Sequence, residues 1–368
     1  DATELFEYLY ENENDDENDD GDGNAARATA LMCLDRLFYE GRIKTIDSEW
    51  CHSLNIVMYV LICFVTAMLV LQLLCSLLYV TRIKRVLSKE ELSSGVMIMV
   101  PCYNEGYKEL GKTIRSVLET DYPDDNRCLL VVCDGTITGH GEERSTPDIV
   151  ADILGYSGGG GGGGGTTAAS STTGSGINKE RGHKYTSIGA NSRNRARVHH
   201  GICVEDGRRL KYVVVVKCGT SKERRDGTNP RAGNRGKRDS QLVLAGMLNR
   251  RHYRRRPCEL DRAIVRALDD LDLTVEGIKY LMAIDADTRV HADSLSQMVY
   301  TMEKSQNVLA CCGETRVDNK AQSWVTALQV YEYYSSHHMK KAFESAFGCV
   351  TCLPGCFTLY RIRCDDDH

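Results

Sequence analysis

The first 22 residues of this 368-residue chain contain no Lys or Arg, although they contain eleven acidic residues. The remainder has 46 basic and 40 acidic residues, a net charge of +6, while the whole chain has a net charge of −5. An acidic run of this kind is usually solvated and disordered. We therefore predict a disordered acidic tail over 1–30. With 42% hydrophobic and 26% charged residues, the composition excludes a collagen-like or wholly disordered protein.

Two other features are missing. The start of the chain lacks the basic and then apolar stretch of a secretory signal peptide, since residues 1–10 are acidic. Cys349, Cys352 and Cys356 lack the second ligand pair that a zinc site would require. The sixteen cysteines are scattered, unlike those of a small secreted disulfide scaffold. We expect free thiols in a reducing compartment.

The segment 54–80 contains no charged residue. Its apolar run is interrupted only by Asn55, Thr66, Gln72 and Ser76. Crossing a hydrocarbon core of ~30 Å takes roughly 20 helical residues, so we predict a transmembrane helix over 54–80, after a juxtamembrane segment over 31–53. The basic residues that follow it directly are Arg82, Lys84 and Arg85. They favour the cytoplasmic side, so we expect a plasma-membrane protein with a cytoplasmic body.

Beyond this helix, short apolar runs alternate with stretches of helical spacing. Strands are predicted at 96–100, 127–133, 212–218, 280–284 and 308–312, and helices at 106–118, 242–248 and 291–304. Nearly continuous apolar strands indicate a sheet that is buried on both faces. The predicted fold class is α/β, with a mainly parallel sheet sandwiched by helices.

Two segments interrupt this alternation. A run rich in Gly, Ser and Thr over about 156–182 is predicted to be a disordered insertion. It is not a phosphate-binding loop, because no strand leads into it and no Gly-Lys-Ser or Gly-Lys-Thr ends it. The basic run 250–256 could bind nucleic acid, but a solvated face or a contact with anionic lipid is favoured beside a membrane-tethered domain.

Carboxylates follow three of the predicted strands, at Glu105, Asp134 and the pair Asp285 and Asp287. Ligands of parallel sheets bind at this edge, although each acid alone could be a helix cap or a turn former. The Asp-x-Asp spacing recurs elsewhere in the chain, and what distinguishes Asp285 and Asp287 is the apolar strand before them. Paired carboxylates there suit Mg²⁺ or Mn²⁺ bound together with a diphosphate.

A second candidate lies at 236–241, Gly-Lys-Arg-Asp-Ser-Gln, which opens an apolar helical stretch. Backbone amides at a helix start and the adjacent cations Lys237 and Arg238 make an anion site. The alternative is an ordinary capped helix whose Lys-Arg pair lies in solvent.

Taken in order, these segments resemble the chitin synthases. The resemblance rests on VPCYNE at 100–105, CDG at 133–135, GKRDSQ at 236–241, DADT at 285–288, GET at 313–315 and the segment 324–360. It covers 95–363 and leaves 364–368 unmatched. Chitin synthases are membrane-bound, inverting, processive glycosyltransferases. The resemblance therefore implies a Rossmann-like nucleotide-sugar fold of the GT-A class.

The resemblance also implies a donor site for UDP-N-acetylglucosamine. Pro101, Tyr103 and Glu105 are expected to hold uracil and ribose. Asp134 is expected to contact the uridine from the second strand. The block expected near the donor consists of Lys237, Asp239, Ser240 and Gln241, with Lys237 near the diphosphate.

The catalytic residues implied in the same way are Asp285, Asp287 and Glu314. Asp285 is expected near the ribose and metal, and Asp287 is expected to ligate Mg²⁺ or Mn²⁺. Glu314 is expected beside the donor sugar. Pro354, Gly355 and Cys356 are expected to line the approach of the acceptor chain.

The implied function is transfer of N-acetylglucosamine to a growing β-1,4 chitin chain. The family's general base and channel helices are expected beyond His368, so we expect a truncated enzyme. Its expected partners are the donor, a chitin oligomer and the bilayer, with no nucleic acid, and a homo-oligomer is left open. Two alternatives remain. One is a non-catalytic, membrane-anchored UDP-binding protein, and the other is a related hyaluronan- or cellulose-type synthase.

Overall fold

The computed structural model describes residues 28–30, 32–33, 36, 49–80, 92–139, 141–156, 182–189, 192–225 and 231–363. Most of the predicted acidic tail, most of the predicted insertion and the segment 364–368 lie outside these residues. Backbone contacts divide the chain into two units after Leu71.

A long helix, α1, runs over Glu49–Val80 and is slightly longer than predicted. Within it, Trp50–Leu78 has a mean hydropathy of 2.6. It is the one helix in the described part of the chain that is long and apolar enough to cross a membrane. The hydroxyl groups of Thr66 and Ser76 donate to the helix's own carbonyls at 2.8 Å. These bonds reduce the cost of placing both hydroxyls in an apolar environment.

Within the described residues, eight strands form one sheet in the order β3-β4-β5-β2-β1-β6-β8-β7. The strands are β1 (Gly95–Cys102), β2 (Arg127–Cys133), β3 (His183–Thr186), β4 (Arg193–Glu205), β5 (Arg208–Lys217), β6 (Ile278–Ile284), β7 (Ala310–Cys312) and β8 (Phe357–Arg361). The central strands β5, β2, β1 and β6 are parallel to one another, whereas β3, β4, β7 and β8 join the sheet antiparallel. The carboxyl ends of the parallel strands therefore meet at one edge.

Helices cover both faces of the sheet. The α-helices described after α1 are α2 (Tyr107–Leu118), α3 (Thr146–Leu154), α4 (Ser221–Arg225), α5 (Lys237–His252), α6 (Glu259–Asp269), α7 (Ser294–Lys304), α8 (Trp324–Tyr333) and α9 (Lys340–Ala346). Apolar side chains of α2, α3 and α7 pack with one face of the sheet, and those of α5 and α6 pack with the other. Burial from both sides explains why the central strands are continuously apolar.

The predicted α/β class is confirmed, and the strand predicted at 127–133 has the predicted bounds. The prediction did not include β4, whose residues alternate between buried and more exposed positions over its first half. Its hairpin to β5 turns at Asp206 and Gly207, with φ of 51° and 76°. Asp-Gly is a recognised signal for such a two-residue turn, so this element could have been found.

Candidate functional site

A cleft of about 350 Å³ lies where β1, β2 and β6 end and α5 begins. Its lining consists of Pro101, Cys102, Tyr103, Glu105, Asp134, Asn234, Gly236, Lys237, Ser240, Asp285, Ala286 and Asp287. Eight of these residues are among those singled out from the sequence, although they come from four separate segments. The fold therefore brings together the ends of strands that are far apart in the chain, with β1 ending at Cys102 and β6 at Ile284.

The segment after β1 is held by local bonds. The carboxylate of Glu105 accepts a hydrogen bond from the backbone N–H of Tyr103 at 2.6 Å. The carbonyl of Tyr103 accepts one from the Thr146 hydroxyl at 3.2 Å, at the start of α3. These contacts fix the turn that carries Tyr103 and Glu105 into the cleft.

Asp134, at the end of β2, is 3% exposed and uses both carboxylate oxygens. Oδ1 accepts from Lys217 Nζ and from the backbone N–H of Arg235, both at 2.9 Å. Oδ2 accepts from the backbone N–H of Gly236 at 2.7 Å. Asp134 thus holds the loop that leads into α5, in addition to lining the cleft.

Beneath the cleft, Lys217 lies at the end of β5 with its side chain fully buried. Its ammonium is 2.7 Å from Asp239 Oδ2, on the first turn of α5. Asp239 also accepts from the hydroxyl of Tyr185 at 3.0 Å and from the N–H of Ile188 at 3.2 Å. Asp239 is 1% exposed and does not line the cleft. Burial and the adjacent Asp239 raise the pKa of Tyr185 well above that of an ordinary phenol.

At the mouth of the cleft, the ammonium of Lys237 donates to Oδ1 of Asp285. Both side chains are partly exposed, at 48% and 31%. The pair places a cation of α5 directly opposite the carboxylate that follows β6. A ligand with negative charge could therefore compete for Lys237 without the cost of breaking a buried ion pair.

Glu314 follows β7 and lies outside the cleft lining. Its carboxylate accepts from Arg316 at 2.8 and 3.2 Å and is 3.2 Å from Nδ1 of His338. Burial alone would raise the pKa of Glu314, but the bonds and charge of Arg316 and His338 outweigh it, so the pKa lies below that of an ordinary carboxyl. His338 belongs to a π-helical turn, Tyr334–Met339, and its ring stacks on Tyr334 at 5.0 Å.

The segment Pro354 to Cys356 precedes β8. The carbonyl of Cys356 accepts from the N–H of Asp285 at 3.3 Å, which places this segment against the end of β6. The remaining predicted residue, Gln241, is half-buried on α5 and does not line the cleft. Cys349 and Cys352 are exposed free thiols.

Asp285 and Asp287 offer the carboxylate oxygens that Mg²⁺ and Mn²⁺ prefer as ligands, so the chemistry of the cleft suits a divalent cation. In the described ranges, no group of three or more His, Cys, Asp or Glu side chains is arranged to hold a metal. A cation held by Asp285 and Asp287 would also use phosphate oxygens and water as ligands. This pattern fits Mg²⁺, which is usually bound by one or two carboxylates together with a substrate phosphate.

Sequence reasoning missed Lys217 and Asn234. Lys217 ends the apolar run of β5, and a charged residue that ends a buried strand at the ligand-binding edge could have signalled its position. Asn234 carried no comparable signal, because it lies in a loop whose path depends on contacts with distant residues.

Comparisons with known proteins place the chain in a family. The family model described as chitin synthase matches residues 75–368. Chitin synthase 6 of Mycosarcoma maydis is 40% identical over 341 residues, which cover 92% of this chain and 27% of that protein. Chitin synthase A of Aspergillus oryzae is 34% identical over 360 residues, which cover 97% of this chain and 19% of that protein.

The chain thus spans about a quarter or less of the length of these curated relatives. Among solved structures, the mannosyltransferase PcManGT from Pyrobaculum calidifontis, in complex with GDP-Man and Mn²⁺, matches with a TM-score of 0.37 and 13% identity. That match covers 82% of this chain and 55% of the mannosyltransferase. Because the family model matches most of its residues, the chain belongs to the chitin synthase family.

Proposed function

We propose that this chain forms the donor-binding part of a glycosyltransferase that transfers N-acetylglucosamine from UDP-N-acetylglucosamine to a growing β-1,4 chitin chain. Family membership supports the reaction class. The observation that carries the proposal is the meeting of Asp285 and Asp287 with Lys237 in one cleft, at the carboxyl ends of parallel strands. This is where α/β sheets bind nucleotides.

The cleft offers complementary groups for each part of the donor. Tyr103 and the apolar ring of Pro101 supply surface for a uracil base, and the Glu105 carboxylate can accept from ribose hydroxyls. The N-terminus of α5 and the ammonium of Lys237 attract the diphosphate. On binding, Lys237 would exchange Asp285 for a phosphate oxygen.

Asp285 and Asp287 would hold Mg²⁺ or Mn²⁺ together with the diphosphate. The cation, when bound, neutralises the negative charge that develops on UDP as it leaves. Inversion follows from a single displacement in which the acceptor hydroxyl attacks the sugar carbon. The 354–356 segment, against the end of β6, is the proposed acceptor side. Glu314, held by Arg316 and His338, is proposed to face the donor sugar.

We further propose that α1 spans the plasma membrane, with the sheet domain in the cytoplasm. The support is the length and hydropathy of Trp50–Leu78 and the three basic residues over 82–85.

The test uses the full chain purified in detergent and incubated with radiolabelled UDP-N-acetylglucosamine and Mg²⁺ or Mn²⁺. Chitinase-sensitive polymer would support the whole proposal. Metal-dependent UDP binding in calorimetry without polymer would favour the membrane-anchored UDP-binding alternative. Absence of UDP binding would refute both.

Replacing Asp287 with Ala should abolish the metal dependence of UDP binding. The matched control is Asp293→Ala, because Asp293 is an exposed carboxylate whose side chain caps no helix. Unchanged metal dependence in the Asp287 variant would contradict its assignment as a ligand.

A further inference from the structure

We propose that Lys217 is a positioning residue for the donor site: from beneath the cleft its ammonium holds Asp134 and Asp239 together, and so fixes the loop 233–237 that presents Lys237. This inference rests on the proposed function, because the loop matters only if the cleft binds the donor. It assigns Lys217, which the sequence motifs do not single out, to the organisation of the site.

Lys217 cannot itself touch a ligand in the cleft, since its side chain is 0% exposed. Its Nζ is 2.9 Å from Asp134 Oδ1 and 2.7 Å from Asp239 Oδ2. A third contact runs to the carbonyl of Gly236 at 3.4 Å. An ammonium has three donors, so these partners account for all of them.

The two carboxylates that Lys217 holds also accept hydrogen bonds from the surrounding segments. Asp134 accepts from the N–H groups of Arg235 and Gly236, which lie in the loop itself. Asp239 accepts from Tyr185 and Ile188, at the end of β3 and just beyond it. One lysine on β5 therefore connects the end of β2, the loop, the first turn of α5 and the β3–β4 hairpin.

The loop is also packed tightly against the backbone of the same lysine. Gly233 has φ of 84°, and a Cβ there would lie 2.5 Å from the carbonyl oxygen of Lys217. The side-chain amide of Asn194 donates to the carbonyl of Gly233 at 3.0 Å. The loop is thus fixed at Gly233 by packing and at Arg235 and Gly236 by Asp134.

Electrostatics make the lysine necessary for this arrangement. Asp134 and Asp239 are 3% and 1% exposed, so each has lost most of its hydration. Without the ammonium between them, two desolvated carboxylates would face each other, and one would have to move toward water or gain a proton. If Asp134 moves, the N–H groups of Arg235 and Gly236 lose their acceptor. Lys237, the next residue, then loses its alignment with Asp285.

It follows that Asp134 and Asp239 also act mainly through the loop. Asp239 is covered and Asp134 already bonds to three protein donors. The resemblance alone implied that both would contact or adjoin the donor, whereas the geometry points to positioning roles.

The experiment measures UDP binding by calorimetry in the full detergent-solubilised chain with Mg²⁺, together with thermal denaturation. Lys217→Met keeps an unbranched side chain as far as Cε and removes the ammonium. We expect UDP affinity to fall by about tenfold or more, because the loop that presents Lys237 loses its contacts with the ammonium, and we expect the denaturation temperature to fall as well, because two buried carboxylates lose their counter-ion. Amide hydrogen exchange should become faster over 233–238.

The control is Lys211→Met, at the opposite end of β5, where the side chain is 9% exposed and its ammonium lies 3.9 Å from Asp125. Its UDP affinity should match the unmodified chain.

A second variant separates positioning from stability. Lys217→Met combined with Asp239→Asn removes the surplus buried negative charge, so the denaturation temperature should recover. UDP affinity should stay below that of the unmodified chain, because the ammonium that bonds to Asp134, residue 239 and the Gly236 carbonyl is still absent, and only the two backbone bonds of Asp134 hold the loop. Recovery of affinity in parallel with stability would show that Lys217 is only structural and would overturn the inference. Full UDP affinity in Lys217→Met would overturn it as well. UDP binding to the unmodified chain is measured before any variant. If the unmodified chain binds no UDP, the proposed function itself is refuted.

Discussion

The ion pair at the mouth of the cleft makes a sharp prediction about Lys237. We consider Lys237→Met, which removes the ammonium that faces Asp285 and leaves the apolar part of the side chain. If Lys237 serves the diphosphate, this change should weaken UDP binding while the fold remains stable. If it serves the fold, stability should fall instead.

The expected change in stability follows from the solvent exposure of the two side chains. Lys237 and Asp285 are 48% and 31% exposed, and such pairs contribute about 0–1 kcal/mol to stability. The denaturation temperature should therefore fall by no more than about 4 °C. A charge-assisted hydrogen bond to a phosphate contributes roughly 1.5–3 kcal/mol. Losing it should weaken UDP binding roughly 10- to 150-fold.

The assay compares UDP with uridine, which lacks the diphosphate, by displacement of radiolabelled UDP at saturating Mg²⁺. Uridine affinity should be the same for the variant and the unmodified chain. Lys304→Met is the matched control, since Lys304 is an exposed lysine at the last residue of α7. Equal losses for uridine and UDP would refute the reasoning, because the effect would then not depend on the diphosphate. A large fall in denaturation temperature would refute it too.

Three further outcomes are expected. Arg127→Met should lower the free energy of unfolding by at least about 2 kcal/mol in chemical denaturation. The buried guanidinium donates to the carbonyls of Val117 and Leu118 at the end of α2 and of Thr120 just beyond it, and these would lose their partner. Gly233→Ala should lower stability and UDP affinity together, since φ is 84° and the added Cβ would overlap the backbone of Lys217; unchanged values in both assays would contradict the loop geometry. Glu314→Gln should flatten the dependence of the denaturation temperature on pH as the pH falls below the ordinary glutamate pKa of about 4.3. A carboxyl with a lowered pKa stabilises the fold above its ordinary pKa and loses that contribution as the pH falls through the lowered value.

The parallel centre of the sheet could be predicted from the sequence because its strands are buried on both faces. Burial of this kind leaves a continuous apolar run, and β2 follows that run residue for residue. The polar residues directly after β1, β2 and β6 could be predicted for a related reason. Parallel strands deliver their carboxyl ends to one edge, so the chain position of Asp134, Asp285 and Asp287 implied their proximity.

The antiparallel strands were harder because they have a more polar pattern. In β4, Arg and His residues alternate with Ala and Val, and such a run resembles a loop unless the partner strand is known. The network around Lys217 depends still more on long-range contacts. Its three charged members are 83 and 22 residues apart in the chain and only meet when β2, β5 and α5 are assembled. The local sequence around each of these residues therefore does not predict that they pair.

The charges of the residues that line the cleft bear on both the proposed cation and the role of Lys217. The cleft lining contains four carboxylates, on Glu105, Asp134, Asp285 and Asp287, and a single ammonium, on Lys237. A diphosphate placed among these groups would meet net repulsion, although the N-terminus of α5 offsets a part of it. Lys217 cannot supply the missing charge, because its ammonium is already shared between Asp134 and Asp239. Asp285 and Asp287 would hold a divalent cation in the cleft, and its charge would offset this repulsion when it is bound. The arrangement of charges in the cleft therefore supports the proposed dependence of donor binding on a divalent cation.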